Sequence, residues 1–129
     1  SFIIDMTTIT NNDIKNLEYK NKLEKHLRSE DFFSVEQHGE ALFLLTDVVN
    51  SKENEFTFKG DLTIKGITHP MSFPGTIIKN IDGTFSTNAN CEIDRTLWDI
   101  RYGSGKFFEN LGDKMIFDNF ELSLELSTI

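Results

Sequence analysis

The sequence predicts an all-β protein built on an antiparallel sheet, and three observations support this fold class. Residues 55–66 alternate strictly, with Phe56, Phe58, Leu62 and Ile64 on one side and polar residues on the other. Such alternation is typical of a strand with one buried and one solvated face, whereas a strand covered on both faces reads as a continuous apolar run. Further strand-like segments follow with only short turns between them, and a single segment has helical composition. A meander that buries one face curls into a barrel or a sandwich.

Several segments have strand character. The predicted strands cover residues 1–10, 41–49, 55–66, 71–81, 84–94 and 114–127. Ile100 is a candidate for a further short strand. Residues 50–54 and 66–70 predict polar turns, and Asp82-Gly83 is a strong hairpin signal. Pro70 has no backbone N–H to donate, so it must open the fourth strand or lie at a sheet edge.

One helix is predicted over residues 13–28. This segment has few β-branched residues and many helix formers, and Leu23 and Leu27 form an apolar pair one turn apart. Asn11 or Asn12 offers an N-cap. The helix is expected to be largely solvated, with one face on the sheet, where it can cover one end of a barrel.

Composition favours an apolar interior and argues against several partners. Twelve residues are Phe, which carries no polar group and suits a dry core or cavity. A net charge of −8 and a pI near 4.8 argue against nucleic acid and against anionic membrane surfaces as partners. The sequence contains no apolar run long enough to span a bilayer, and no signal peptide is visible.

Few residues have the pattern of a chemical site. Cys91 is the single cysteine, so an intramolecular disulfide is impossible; its parity predicts a buried small hydrophobe, with a reactive thiol as the alternative. His26, His38 and His69 are scattered and lack the spacing of metal ligands. Ser104 lies in Y-G-S-G-K, which lacks the pattern of a nucleophile elbow. The sequence therefore predicts no catalytic residue, no metal and no cofactor.

Three motifs together resemble one protein family. They are H-L-R-S-E-D-F-F-S-V at 26–35, L-T-I-K-G-I-T-H-P at 62–70 and I-D-R-T-L-W-D-I-R-Y-G at 93–103. In this order and spacing, the chain resembles the YceI-like family of bacterial lipid-binding proteins over essentially its whole length. The resemblance implies a lipocalin-like antiparallel β-barrel of about eight strands, a size that encloses one small ligand.

The resemblance also implies a function. Family members bind and carry a long-chain isoprenoid lipid, either a polyisoprenoid or an isoprenoid quinone, without an established reaction. They are commonly periplasmic or secreted, and some are dimers. The present chain is therefore expected to be a lipid carrier, periplasmic or secreted, and not an enzyme.

One departure from the family concerns the start of the chain. Family members usually carry two further strands before the position that corresponds to Ser1. Residues 1–129 are therefore expected to form a single YceI-like barrel domain that is N-terminally truncated. The two open edges of such a barrel favour a partner, which would be a second copy in a homodimer or a separate N-terminal segment that completes the barrel.

The resemblance assigns ligand binding to the side chains expected to face the barrel lumen. They are Phe43, Leu45, Phe56, Phe58, Leu62, Ile64, Phe73, Ile77, Phe85, Cys91, Ile93, Leu122 and Leu124. For each of them the alternative role is plain core packing.

Six motif residues are expected to be structural. His26 and Arg28 would tether the end of the helix, and Phe32 and Phe33 would close the end of the barrel. Arg95 and Trp98 belong to the third motif. Judged by its charge alone, Arg95 would be a surface or ion-pair residue.

Apolar contact alone is expected to hold the lipid tail. Burying one methylene group is worth about 0.8 kcal/mol, so one five-carbon isoprene unit is worth roughly 4 kcal/mol before entropic costs. A charged head-group site is therefore not required, and the net charge of −8 favours a quinone or another weakly charged head. Two alternatives stay open: a stress-related enzyme that uses the same cavity, and an interaction module whose barrel is filled with side chains.

Overall fold

One antiparallel sheet carries the fold, and its strands lie in the order in which they occur in the chain. The computed structural model describes residues 2–128, which form a six-stranded sheet that curls into a half-barrel. The strands are β1 (Phe2–Asp5), β2 (Glu40–Lys52), β3 (Glu55–Ile64), β4 (Ile67–Lys79), β5 (Phe85–Asp94) and β6 (Asn119–Ser127). The predicted strand at 1–10 is therefore shorter than expected, because a 3₁₀ turn at Met6–Thr8 interrupts it. Ser1 and Ile129 lie outside the described residues.

The hairpins are tighter than the sequence predicts. The β3–β4 turn contains only Lys65 and Gly66, with φ of 53° and 78°, the two positive values that a type I′ turn requires. The predicted turn over 66–70 is therefore wrong, since β4 already begins at Ile67. The β2–β3 turn is likewise two residues long, not the predicted 50–54. Pro70 lies inside β4, where it pairs with Asp61 of β3. The pairing of β4 with β5 begins only at Gly75, so the missing N–H of Pro70 costs no hydrogen bond to β5.

A bulge bends β2. Leu45 pairs with Gly60 and Asp47 with Lys59, which leaves Thr46 as an extra residue. The parity of the strand shifts by one beyond this point. Bulges bend a strand and increase its twist, so this one contributes to the curl of the sheet.

The single α-helix, α1 (Leu17–Arg28), begins four residues later than predicted. The Asn11 side chain accepts hydrogen bonds from the Asp13 and Ile14 amides, forming a local turn in place of helix. Asn16 is the true N-cap, and its Oδ1 accepts from the Glu18 and Tyr19 amides. The predicted cap at Asn11 or Asn12 is therefore wrong. No residue of the helix is fully buried, as expected for a largely solvated helix, and its last three residues are half-buried. None of the helices in the described part of the chain has the length and apolar character of a membrane span.

The sheet opens between β4 and β5, and a 3₁₀ turn at Arg95–Trp98 fills the gap. The Trp98 indole Nε1 donates to the Leu62 carbonyl at 3.1 Å, and the His69 imidazole contacts the Leu97 carbonyl at 2.7 Å. Ile100 follows in an irregular segment, so it belongs to no strand. Its side chain is fully buried. The third motif thus closes the sheet where two neighbouring strands separate.

The last strand is shorter than predicted. β6 begins at Asn119 and not near residue 114, because a 3₁₀ turn occupies Gly112–Lys114 and the carbonyls of Ile116 and Phe117 bond to the Arg95 guanidinium. These carbonyls are therefore not available for a strand ladder.

Candidate ligand-binding face

The inner face of the half-barrel is the side that carries Phe43, Phe58, Phe73, Cys91 and Leu122. The register of the sheet places these residues on one side. Residues an even number of positions apart along a strand share a face, and residues paired across neighbouring strands share it as well. This face contains most of the buried apolar residues of the molecule. It is the candidate site because it is the apolar surface that the curl of the sheet encloses.

A row of Phe rings runs across the inner face from β1 to β4. The centroids of Phe2 and Phe43 are 5.3 Å apart, those of Phe43 and Phe73 are 5.5 Å apart, and those of Phe73 and Phe58 are 5.7 Å apart. These spacings are typical of favourable aromatic pairs. The row forms an apolar layer on the sheet, in which Phe43, Phe58 and Phe73 are buried and Phe2 is half-buried.

Two inner-face glycines make room for these rings. A Cβ on Gly60 would lie 2.5 Å from the Phe43 ring and 2.4 Å from the Leu44 carbonyl oxygen. A Cβ on Gly75 would lie 2.6 Å from the Phe58 ring and 2.9 Å from the Ala89 Cβ. Both positions therefore require glycine on steric grounds, and both let a Phe ring approach the backbone closely.

The predicted lumen residues differ in exposure along the face. Seven are buried: Phe43, Phe58, Leu62, Ile64, Phe73, Cys91 and Ile93. Four are half-buried: Phe56, Ile77, Leu122 and Leu124. Leu45 and Phe85 are 38% and 42% exposed. The exposed end of the face lies near the 80–84 turn, and the buried end lies near the Lys65–Gly66 turn, so the face opens at one end of the half-barrel.

Lys79 is an inner-face residue that the sequence analysis did not assign. It pairs with Phe85 and lies two positions beyond Ile77 on the same parity, at the open end of the face. Within residues 2–128 its ammonium group makes no ion pair. The signal was available in the sequence, because residues 73, 75, 77 and 79 share one parity.

Cys91 lies on the inner face opposite Leu122. It is a free, buried cysteine, and burial raises the pKa of its thiol. The thiol is therefore neutral near physiological pH and behaves as a small apolar group.

The other end of the half-barrel is closed by the first motif. Phe32 is 5% exposed, and its ring lies 4.9 Å from the His26 ring and 5.7 Å from the Tyr102 ring. His26 Nε2 lies 3.2 Å from a carboxylate oxygen of Asp31. Arg28 donates to the Ile9 carbonyl at 2.6 Å, which links the end of α1 to the segment after β1.

Phe33 also packs at this end. Its ring meets that of Phe120 edge to face at 6.2 Å, so the first motif contacts β6. Trp98, 2% exposed, lies at the same end through its bond to Leu62. Tyr102 and Phe120 complete this aromatic cluster and were not among the predicted structural residues.

Arg95 is the most deeply buried charged residue at this end. Its side chain is 4% exposed and donates to the carbonyls of Phe117, Ile100 and Ile116 at 3.0, 2.9 and 3.0 Å. Burial lowers the pKa of the guanidinium, while the carboxylates of Asp118 and Asp94 act in the opposite direction. It stays protonated at physiological pH. Interpreting Arg95 as a surface residue is wrong, since its partners are backbone carbonyls and the Asp118 carboxylate lies 4.0 Å away.

The described residues contain no group of three or more His, Cys, Asp or Glu side chains placed to hold a metal ion.

Ser104 is fully buried, and its hydroxyl donates to Asp118 Oδ1 at 2.5 Å. This bond joins the loop at residue 104 to Asp118, directly before β6.

An antiparallel half-barrel with a Phe-lined inner face, closed at one end by the first motif and a buried arginine, is a lipocalin-like architecture. The YceI-like domain matches residues 1–128. The chain belongs to the YceI-like family. The family resemblance and the predicted fold class are thereby confirmed.

Individual relatives cover different shares of the chain. A UPF0312 protein of Ectopseudomonas mendocina (strain ymp) is 44% identical over 48 residues, which are 37% of this chain and 25% of that protein. A UPF0312 protein of Photorhabdus laumondii is 47% identical over 49 residues, which are 37% of this chain and 24% of that protein. These matches thus span about a quarter of the curated relatives' length.

Two solved structures have the same fold. BcnA of Burkholderia cenocepacia superimposes with a TM-score of 0.77 at 20% identity, covering 98% of this chain and 72% of its own. The YceI protein of Campylobacter jejuni gives a TM-score of 0.73 at 18% identity, covering 98% of this chain and 68% of its own.

Proposed function

We propose that the protein binds and carries a long-chain isoprenoid lipid, a polyisoprenoid or an isoprenoid quinone, on the inner face of its half-barrel, without catalysis. The observation that carries this proposal is the continuous apolar inner face, with its row of Phe rings and its two sterically required glycines. Membership of a family with a lipocalin-like fold supports binding as the general activity.

The gradient of exposure supports one orientation of the ligand. The apolar tail lies along the half-buried residues of the face, Phe56, Ile77, Leu122 and Leu124, and the head lies at the open end beside Lys79 and Phe85. A single ammonium group suits a head that accepts a hydrogen bond, as a quinone carbonyl does. The tail supplies most of the affinity, because each buried isoprene unit is worth roughly 4 kcal/mol before entropic costs.

The sheet edges bear on partners. Within residues 2–128, β1 and β6 each pair on one side only. An unpaired strand edge is a template for another strand. A second copy of the chain or a separate N-terminal segment would cover these edges and enclose the ligand. We place this carrier in the periplasm or outside the cell, in keeping with the family resemblance.

Native mass spectrometry tests the carrier function. The chain is purified without detergent and measured alone and after addition of a polyisoprenol or an isoprenoid quinone. We expect a lipid-sized mass increase that disappears on denaturation. A chain that carries no lipid and takes up neither compound would contradict the proposal and favour an interaction module with a filled interior.

Two neighbouring isoleucines provide matched variants for this experiment. Ile77 is half-buried on the inner face, and Ile78 is 43% exposed on the outer face of the same strand. Ile77→Asn should weaken lipid binding about tenfold or more, since it replaces an apolar contact by an unpaired amide. Ile78→Asn should leave binding unchanged.

A further inference from the structure

Few polar side chains lie on the inner face of the sheet. Among the residues that pair in the six strands, those on this face are Asn50, His69, Lys79 and Thr87. The Asn50 amide donates to two backbone carbonyls at the β2–β3 turn, and the His69 imidazole contacts the Leu97 carbonyl. Within residues 2–128, the side chains of Lys79 and Thr87 make no such bond, although neighbouring polar side chains do. These two groups are therefore free to bind a ligand.

Lys79 and Thr87 are neighbours on adjacent strands. Thr87 of β5 pairs with Ile77 of β4, and Lys79 lies two residues further along β4 on the same face. The Cα atoms of such a diagonal pair are about 7–8 Å apart, a distance that a long side chain spans. The Thr87 side chain is half-buried and that of Lys79 is exposed. An ammonium group and a hydroxyl group thus lie side by side at the open end of the face.

Apolar side chains lead from this pair into the half-barrel. Leu126 of β6 is opposite Thr87 and is 44% exposed. Leu124 and Leu122 follow on the same face of β6, and both are half-buried. A polar pair at the start of an apolar stripe suits an amphiphile whose head lies at the pair and whose tail follows the leucines.

The charge at this end selects the head group. Lys79 carries the one permanent charge among the four polar residues of the paired inner face, and its ammonium group has no ion pair within residues 2–128. The nearby Asp82 carboxylate accepts from the Thr84 amide and hydroxyl instead. A head that covers the ammonium removes water from it, which costs free energy unless the head brings the opposite charge. One negative charge matches one ammonium, whereas several would add repulsion in a chain of net charge −8.

We propose that Lys79 and Thr87 form a head-group site for a long-chain lipid that ends in a single carboxylate. One carboxylate oxygen accepts from the Lys79 ammonium, and the other accepts from the Thr87 hydroxyl. Such charge-assisted hydrogen bonds are roughly twice as strong as bonds between neutral groups. The inference rests on the proposed function for the apolar tail and adds the identity of the head. It applies to an isoprenoid tail and to a straight acyl tail alike.

Equilibrium binding of palmitate and palmitamide to the complete chain tests the head-group site. The two compounds share one tail and differ only in having a carboxylate or a neutral amide. We expect palmitate to bind about tenfold more tightly, because only its head is charged. Lys79→Met should bring the affinity for palmitate close to that for palmitamide. Thr87→Val keeps the shape of the side chain and removes the hydroxyl, so it should weaken palmitate binding about threefold or more.

The matched controls lie on the outer face of β3. Lys59→Met and Thr57→Val make the same chemical changes at outward positions of the sheet. Both variants should bind palmitate as the unaltered chain does, and circular dichroism verifies that every variant keeps the sheet. Equal affinity for the two compounds, a preference for palmitate that survives Lys79→Met, or an equal loss in Lys59→Met would each overturn the head-group site.

An isoprenoid quinone measured in the same assay separates this inference from the carrier function. Binding of the quinone without a preference for palmitate over palmitamide would overturn the carboxylate site alone. A preference for palmitate without binding of the quinone or of a polyisoprenol would overturn the isoprenoid proposal alone. If none of these compounds binds, both proposals are wrong.

Discussion

A hydrogen bond joins Arg95, one of the most buried charged residues of the protein, to Phe117, which carries one of its most exposed rings. The Arg95 Nε donates to the Phe117 carbonyl at 3.0 Å, and the Phe117 side chain is 81% exposed. The same guanidinium binds the carbonyls of Ile100 and Ile116. The arginine thus holds the backbone at residues 116–117 from inside while the Phe117 side chain points outward. The bonds of Arg95 thus tie residues 116–117, which precede β6, to the closed end of the half-barrel.

Replacing Arg95 should destabilise the protein strongly. Arg95→Met removes three charge-assisted hydrogen bonds and leaves their carbonyls without this donor, so we expect a loss of about 3 kcal/mol or more in the free energy of unfolding. Chemical denaturation checks it. The matched control is Arg101→Met, since Arg101 is 55% exposed and pairs with Asp99 on the surface; its loss should be below about 1 kcal/mol. Equal losses in the two variants would contradict the role assigned to Arg95.

The inner-face glycines should not tolerate a methyl group. Gly60→Ala places a Cβ 2.4 Å from the Leu44 carbonyl oxygen and 2.5 Å from the Phe43 ring, so the strand or the ring must move. We expect a loss of about 1–3 kcal/mol in the free energy of unfolding, as for other overpacked cores. Gly39→Ala is the control, because its nearest neighbour would be 3.6 Å away. A stable Gly60→Ala variant with unchanged lipid binding would show that the Phe row is not tightly packed on the sheet.

The sequence predicted the sheet better than its connections. Alternation in β3 and β5 determines which residues face inward, because a one-residue change of register would expose the whole apolar set. The turn at Lys65 escaped prediction because a positive φ at a lysine leaves no signal in composition. The start of α1 was misplaced because Asn11 and Asn16 are both good caps; Asn11 caps a local turn and Asn16 caps the helix.

The candidate site was predicted in part for a similar reason. Strand parity assigned the inner-face residues, but the open end near Lys79 depends on where the sheet curls. The structural role of Arg95 could be recognised only from long-range contacts, because its hydrogen-bond partners lie as far as 22 residues along the chain.

Cys91 should report directly on ligand binding. It is the only cysteine, it lies on the inner face, and burial raises the pKa of its thiol, so alkylation by N-ethylmaleimide should be slow near neutral pH. A bound isoprenoid should slow it further, by about tenfold or more if the ligand covers this site at saturating concentration. The rate is measured by mass spectrometry.

The control for this measurement moves the thiol to the other face. Asn90→Cys combined with Cys91→Ser places it at an outward position of the same strand. That thiol should react faster, and its rate should not respond to lipid. Lipid protection of both positions, or of neither, would contradict a ligand on the inner face.

Asp94 should make a small contribution to stability that acid removes. Burial raises the pKa of its carboxyl, but hydrogen bonds from Thr96 and Lys106 outweigh this effect and leave the pKa below the ordinary 3.8. A carboxyl with a lowered pKa stabilises the folded state above its ordinary pKa, and this contribution is lost as the pH falls through the lowered value. We expect less than about 1 kcal/mol, because Asp94 is partly exposed. Unfolding measured between pH 7 and pH 2 should show a shallower acid loss in Asp94→Asn than in the unaltered chain.

A second substitution separates the charge of Asp94 from its capping bonds. Asp94 Oδ1 accepts from the Thr96 hydroxyl at 2.6 Å and from the Thr96 amide at 3.0 Å. Thr96→Val removes the hydroxyl bond and keeps the amide bond, so it should reduce the acid dependence in the unaltered chain and have little effect on it in Asp94→Asn. If Thr96→Val changes the acid dependence equally in both backgrounds, a carboxyl other than Asp94 is responsible. The 3₁₀ turn that fills the gap between β4 and β5 would then not depend on the charge of its cap.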